Sequence, residues 1–93
     1  MTENEFYTYI LWSKTIEKYY VGSTKNVIRR IQNHRMGLSK WTSKATDWIL
    51  IYSTSFEMRT EALNLEKRIK KRGAKRWLQD KNLMNYVRIA QSG

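Results

Sequence analysis

The sequence predicts an α+β domain: a small, mainly antiparallel three-stranded sheet flanked by helices. Three observations carry this. Two aromatic and β-branched runs sit close together near the N-terminus, a third lies near the middle, and apolar residues recur at helical spacing in the segments between and after them. The implied order is β-β-α-β-α-α, a pattern of strands with helices gathered on the sheet faces rather than strict strand–helix alternation.

Residues 6–12 (Phe6, Tyr7, Thr8, Tyr9, Ile10, Leu11, Trp12) suit a well-covered strand, with Tyr7, Tyr9 and Leu11 on one face. A polar break follows, then Lys18, Tyr19, Tyr20, Val21 and Gly22, so the two runs read as a hairpin in which Tyr20 and Gly22 point the same way. After Gly22, the hydroxyls of Ser23 and Thr24 are candidate caps for a helix with Val27, Ile28 and Ile31 as its apolar positions, ending at Gly37. A polar, basic loop containing Trp41 leads to a third strand around residues 48–52. A longer helix starts between Glu57 and Thr60 and runs to Gly73, with Met58, Ala62, Leu65 and Ile69 at helical spacing. A short helix over residues 75–79 completes the pattern.

With 93 residues, one domain must contain both binding and chemistry; the core is expected over about residues 6–82, with 83–93 as a C-terminal extension. Apolar residues at 41% and aromatics at 13% are enough to bury a core. The absence of cysteine excludes disulfides, thiolate metal centres and cysteine nucleophiles, and a single histidine excludes a multi-histidine site, so a metal would have oxygen ligands. Lys and Arg number 18 against 8 acids, a formal charge of +10 that points to a polyanionic partner. No run is long and apolar enough to span a membrane, and residues 1–12 lack the basic start of a secretory signal, so the expected location is the cytoplasm.

Glu66 is the most informative residue of the long helix. At about 100° per residue it falls inside the arc of Met58, Ala62, Leu65 and Ile69, where packing favours an apolar group. A buried carboxylate must be paired, protonated or bound to a cation, so Glu66 is either a structural ion-pair partner or a metal or catalytic group. On the first helix Arg30 and His34 are four apart and therefore neighbours, able to converge on one phosphate or, alternatively, to be a solvated arginine and a histidine at a helix end. Tyr9 and Tyr20 lie on paired strands, as packing residues or as phenols available to a nucleophilic water. Residues 67–76 bring Lys67, Arg68, Lys70, Lys71, Arg72, Lys75 and Arg76 with no acid among them, a phosphate-tracking face if turned outward. Lys25 and Lys40 extend the list of candidate nucleic-acid contacts. No zinc-finger spacing, glycine-rich phosphate loop or RRM-type aromatic motif is present.

Taken in order, Tyr7-Thr8-Tyr9-Ile10-Leu11, then Tyr20-Val21-Gly22-Ser23-Thr24, then Arg29-Arg30-Ile31 with His34, then Glu66 on a later helix, the chain resembles the GIY-YIG nuclease domain over residues 6–82. Its compact free-standing branch is the most similar, with Gly37-Leu38-Ser39-Lys40-Trp41-Thr42 matching a segment found after the first helix. The first tripeptide departs from the family name, since Tyr7-Thr8 stands for Gly-Ile; Tyr20-Val21-Gly22 is a near match. The resemblance implies a sheet with the active site on one face and metal-dependent hydrolysis of a DNA phosphodiester. Glu66 would be the metal-binding glutamate, Arg30 the phosphate-stabilising arginine, Tyr9 and Tyr20 the motif tyrosines and His34 a site histidine. Asn82 or Asn85 is a loose candidate for a late asparagine.

A magnesium or manganese ion accepts oxygen ligands and keeps waters, so Glu66 and a substrate oxygen suffice for one ion. For the proton acceptor Tyr9 is the first candidate, as base or water-positioner, and Tyr20 the second; His34 competes with both as a proton relay because its pKa needs less tuning. A phenol serves only if cations such as Arg30 and the metal favour phenolate. The substrate expectation is DNA, including branched, flapped or damaged forms, with RNA open and a protein partner as one source of specificity. The competing readings are a non-catalytic nucleic-acid-binding module on the same scaffold and a basic protein-interaction domain. Glu66 and Arg30 discriminate, because pure phosphate binding gains nothing from a carboxylate.

Overall fold

A computed structural model of the protein describes residues 5–37 and 43–83. Its elements follow the expected order: β1 (Phe6–Ser13), β2 (Lys18–Thr24), α1 (Val27–Arg35), β3 (Ile49–Phe56), α2 (Arg59–Arg72) and α3 (Ala74–Asp80). The three strands form one antiparallel sheet in the order β2-β1-β3, so β1 is paired on both sides and β2 keeps a free edge. That central position explains the unbroken aromatic and β-branched run in β1, where residues 8–13 are all buried.

Alternate residues of β1 serve two separate cores, as strand geometry requires. Ile10 and Trp12 join Val21, Ile51, Ile69, Trp77 and Leu78 beneath α2 and α3. Tyr9 and Leu11 join Ala45 and Trp48 on the opposite face, with Ile31 of α1 packed against them. Pairing between β1 and β3 slips from Ile10↔Tyr52 to Leu11↔Leu50, leaving Ile51 as the extra residue of a bulge. The bulge lets Ile49, Ile51 and Tyr52 all contribute to the helix-covered core. The buried Thr8 hydroxyl donates to the Ala62 carbonyl at 2.7 Å and ties β1 to α2.

Several local expectations are corrected. The α1 cap is Asn26, whose side chain accepts the Arg29 N–H at 3.0 Å, while Ser23 and Thr24 continue β2. Ile28 is 73% exposed and is no core position; α1 is short and rests on the sheet through Ile31 and His34 instead. Met58 is the residue before α2 and is exposed, its N–H bonded to the Glu61 carboxylate at 3.2 Å, so the buried stripe of α2 begins at Ala62. The third strand runs four residues longer than the apolar run, to Phe56, because β1 supplies hydrogen-bond partners as far as Phe6. Gly73 has a φ of 93° and serves as the joint at which α2 stops and α3 starts without a loop. Leu83, assigned above to the extension, packs on the core beneath α3.

Candidate active site

The site is built around Tyr9. Its side chain lies on the α1 face of the central strand, directly across from Gly22. A Cβ added at Gly22 would sit 2.6 Å from the Tyr9 hydroxyl and 3.0 Å from the Tyr20 ring, so only glycine lets the phenol lie across β2. This explains the second tripeptide physically: the aromatic at 20 and the missing side chain at 22 flank one slot on the same face.

His34 completes the slot from α1. It is 1% exposed, its Nε2 is 3.0 Å from the Tyr9 hydroxyl oxygen, and its ring centroid is 4.6 Å from that of Tyr20. Burial, with the neighbouring Arg30 guanidinium second, holds the imidazole below its ordinary pKa of 6.5 and therefore neutral at pH 7. The Tyr9 phenol is pushed well above its ordinary value by burial first and by Tyr20 second; Arg30 opposes this and Glu66 adds to it. The condition set for a Tyr9 phenolate is not met by the protein's own charges, since burial outweighs the Arg30 guanidinium.

Glu66 approaches from α2, on the other face of the sheet. The two faces meet at the open edge of β2, where Tyr9 crosses Gly22 and the adjacent Ser23 hydroxyl donates to Glu66 Oε1 at 2.7 Å. Lys70, one turn further along α2, places Nζ 2.7 Å from Glu66 Oε2, and the carboxylate side chain is only 17% exposed. The structure thus brings Tyr9, Tyr20, Arg30, His34 and Glu66 to one edge of the sheet, with Arg30 and Glu66 both acting on the Tyr9 phenol.

Among the described residues no cluster of three or more His, Asp or Glu side chains could hold a metal by itself. The donor set nevertheless fits a hard divalent ion that retains most of its waters. Glu66 supplies one oxygen already oriented by Ser23 and a second held only by an exposed lysine, and a substrate phosphate would supply the rest.

The basic stretch is not the acid-free face that its sequence suggests. Lys70 is committed to Glu66, and Arg72 makes a two-point ion pair with Asp80 at 2.8 and 3.2 Å. Lys67, Arg68, Lys71, Lys75 and Arg76 are exposed. Lys25 lies near the site with Nζ 5.2 Å from the Phe6 ring centroid. Lys40 and Asn85 lie outside the described residues. Asn82 is exposed with a φ of 60°, a left-handed position just past α3 that asparagine tolerates, so the fold accounts for it. Sequence reasoning missed Ser23 as the anchor of Glu66, a contact across 43 positions, and it missed Arg59, which with Arg30 and Lys25 lines a cleft beside the site.

A family model for the GIY-YIG catalytic domain matches residues 5–82. No curated protein and no solved structure gives a significant match. The family match takes in every element of the fold and all five residues gathered at the edge of β2, and on that basis the chain belongs to the GIY-YIG family of nuclease domains.

Proposed function

We propose that the protein is a divalent-metal-dependent endonuclease that hydrolyses phosphodiester bonds in DNA at the edge of β2. Family membership gives a nuclease-type enzyme with a nucleic-acid substrate. What supports the finer reading is Glu66: a carboxylate from one face of the sheet is held by Ser23 beside a guanidinium and a phenol from the other face.

Glu66 is the residue that would hold the ion, through the oxygen not bonded to Ser23, and Lys70 would give up that oxygen. A bound magnesium ion supplies charge neutralisation at the scissile phosphate and the leaving oxygen. Arg30 faces the same phosphate and stabilises the charge that develops on its equatorial oxygens. Burial holds the Tyr9 phenol protonated at neutral pH, and its hydroxyl shares a hydrogen bond with Nε2 of the neutral His34. In the tautomer that carries the ring proton on Nδ1, Tyr9 donates and the pair forms a short proton path. A water positioned by the Tyr9 oxygen passes its proton to Tyr9 as the phenolic proton moves to His34. The hydroxide attacks phosphorus as the opposite P–O bond breaks, and the leaving nucleoside oxygen takes a proton from solvent. Tyr20 packs against the imidazole at a tilt, with ring centroids 4.6 Å apart, and limits its rotation.

One observation favours the non-catalytic reading: with Lys70 on Oε2 and Ser23 on Oε1, Glu66 is already satisfied as a structural group. A single experiment separates the two. Glu66→Gln keeps the shape and the Ser23 contact while removing the charge. Magnesium-dependent cleavage of a panel of duplex, nicked, flapped, branched and single-stranded DNAs should fall by about 10²–10³-fold or more. Cleavage by purified Glu66→Gln at the wild-type rate would refute the assignment, and absence of cleavage by the wild-type protein on every substrate would leave the binding module.

A further inference from the structure

A cleft of about 420 Å³ adjoins the site, lined among the described residues by Phe6, Ser23, Lys25, Arg30, Arg59 and Ala62. It lies where the start of β1, the end of β2 and the first turns of α2 come together. Its size falls in the range of about 300–1,000 Å³ for sites that take one small molecule. Three of the lining side chains are cationic, and among the described residues none of the three has an acidic partner within ion-pair distance. Ala62, 1% exposed, keeps the floor open, and Ser23 joins the cleft directly to Glu66.

Two features set this cleft apart from a general basic surface. Arg59 is the first residue of α2, where the helix dipole disfavours a cation, so the fold gains nothing from its charge there. Phe6 contributes an aromatic ring half-buried in the wall, with the Lys25 ammonium resting over it at 5.2 Å. A ring in a cleft lined by cations suits a nucleobase and its phosphate together: the base stacks and the cations take the charge. A second groove shares Lys25 and Arg30 with this one and continues past Arg29, so a strand laid through the cleft crosses Arg30 and leaves on the far side.

We infer that the cleft seats one unpaired nucleotide next to the scissile phosphate, its base on Phe6 and its phosphate on Lys25 and Arg59. The inference rests on the nuclease reading above and names its substrate class: DNA with an unpaired nucleotide beside the cut, as in a flap or gap. A fully paired base is stacked on both faces by its neighbours and cannot reach the ring. Lys25 leaves the ring as the base arrives and follows the phosphate.

The test is a binding titration by fluorescence anisotropy, run in chelator so that nothing is cut, with a fully paired duplex and with the same duplex carrying a short unpaired flap. The wild-type protein should prefer the flapped substrate by about tenfold or more. Phe6→Leu should abolish the preference while changing paired-duplex affinity by less than about twofold, and Phe6→Tyr should restore it, which shows that the ring rather than the fold is responsible. Arg59→Gln should weaken both complexes and reduce the log–log salt slope by about 0.7–0.9. Equal wild-type affinity for the two substrates, a preference that survives Phe6→Leu, or an unchanged salt slope in Arg59→Gln would overturn the inference. Adding magnesium separates the two readings. Preferential binding with no cleavage refutes the nuclease alone, and equal cleavage of paired and flapped DNA refutes the cleft alone.

Discussion

The two faces of the sheet are made from alternate residues of the same strands, yet they are different materials. Beneath α2 and α3 the core is Ile10, Trp12, Val21, Ile51, Ile69, Trp77 and Leu78, with Tyr52 set edge-on against Trp77 at 5.0 Å. Beneath α1, Tyr9, Leu11 and Trp48 share the interior with the imidazole of His34 and the flank of Tyr20. Burying an imidazole and a phenol costs more than burying Ile, and each is tolerated because it satisfies the other at 3.0 Å. The apolar face supplies the stability that permits the second face to hold polar groups in fixed positions. A small domain with two polar faces would have too little apolar burial to fold.

The sharpest way to break this comparison is to damage each face once and read both rate and stability. Tyr9→Phe removes one oxygen and leaves the ring over Gly22, so cleavage should fall by about 10²–10⁴-fold, the range for loss of a positioned proton-transfer group. The remaining His34 nitrogen loses a partner, at a cost of about 1–3 kcal/mol in denaturant midpoint experiments. Ile69→Val on the other face should cost about 0.5–1.5 kcal/mol and leave the cleavage rate unchanged below the melting temperature. Equal loss of rate in the two variants would mean that the faces do not divide stability from chemistry.

The second difference is in acid. His34 is the buried imidazole of the α1 face, and its folded pKa is depressed below 6.5 by burial and by Arg30. Between the two values the unfolded chain binds the proton and the folded chain does not, so stability is present at neutral pH and falls as pH drops from about 6.5 toward the folded pKa. Cleavage has the same sign, because protonation removes the acceptor at Nε2. A pH–rate profile should therefore be flat through neutrality with a single acid limb centred below 6.5, and His34→Gln should lose that limb along with most of the rate. A limb centred above 6.5 would contradict the buried placement. Asp47 acts in a lower window: its carboxyl is held down chiefly by the Ser13 hydroxyl, so its contribution is lost only as pH falls below about 4.

How far the sequence announced these two faces depends on the range of the interaction involved. Residues 6–12 and 18–22 read as strands because β-branched and aromatic side chains suit a pleated surface, and strand parity alone put Tyr20 and Gly22 on one side. Glu66 stood out because a carboxylate broke an apolar stripe, and the stripe is real at Ala62 and Ile69. The Lys70 partner was also within reach, four residues on in the favourable Glu-before-Lys order, but a run of cations suggested an outward face and hid the pairing. Ser23 was different. As a hydroxyl after a glycine it has a local explanation as a helix cap, and nothing nearby shows that it faces α2 instead. Arg59 left a fainter signal, a cation in the first turn of a helix where an acid is favoured.

The smallest expected effect concerns neither face and serves as the control. Glu17 closes the β1–β2 hairpin with a φ of 52°, left-handed backbone that costs a non-glycine residue about 1–2 kcal/mol. Glycine would relieve that cost but lose about 0.5–1 kcal/mol of it to unfolded-state freedom. Asparagine tolerates the conformation and keeps a side chain, so Glu17→Asn should raise stability by about 0.5–1 kcal/mol, measured as an upward shift of the thermal midpoint. The tip lies at the opposite end of the hairpin from Gly22, and the β1–β2 register runs without a shift between them. Cleavage rate, flap preference and the acid limb should all be unchanged in Glu17→Asn. A change in any of them would show that the slot across β2 is set by the hairpin as a whole rather than by the local fit of Tyr9, Tyr20 and Gly22.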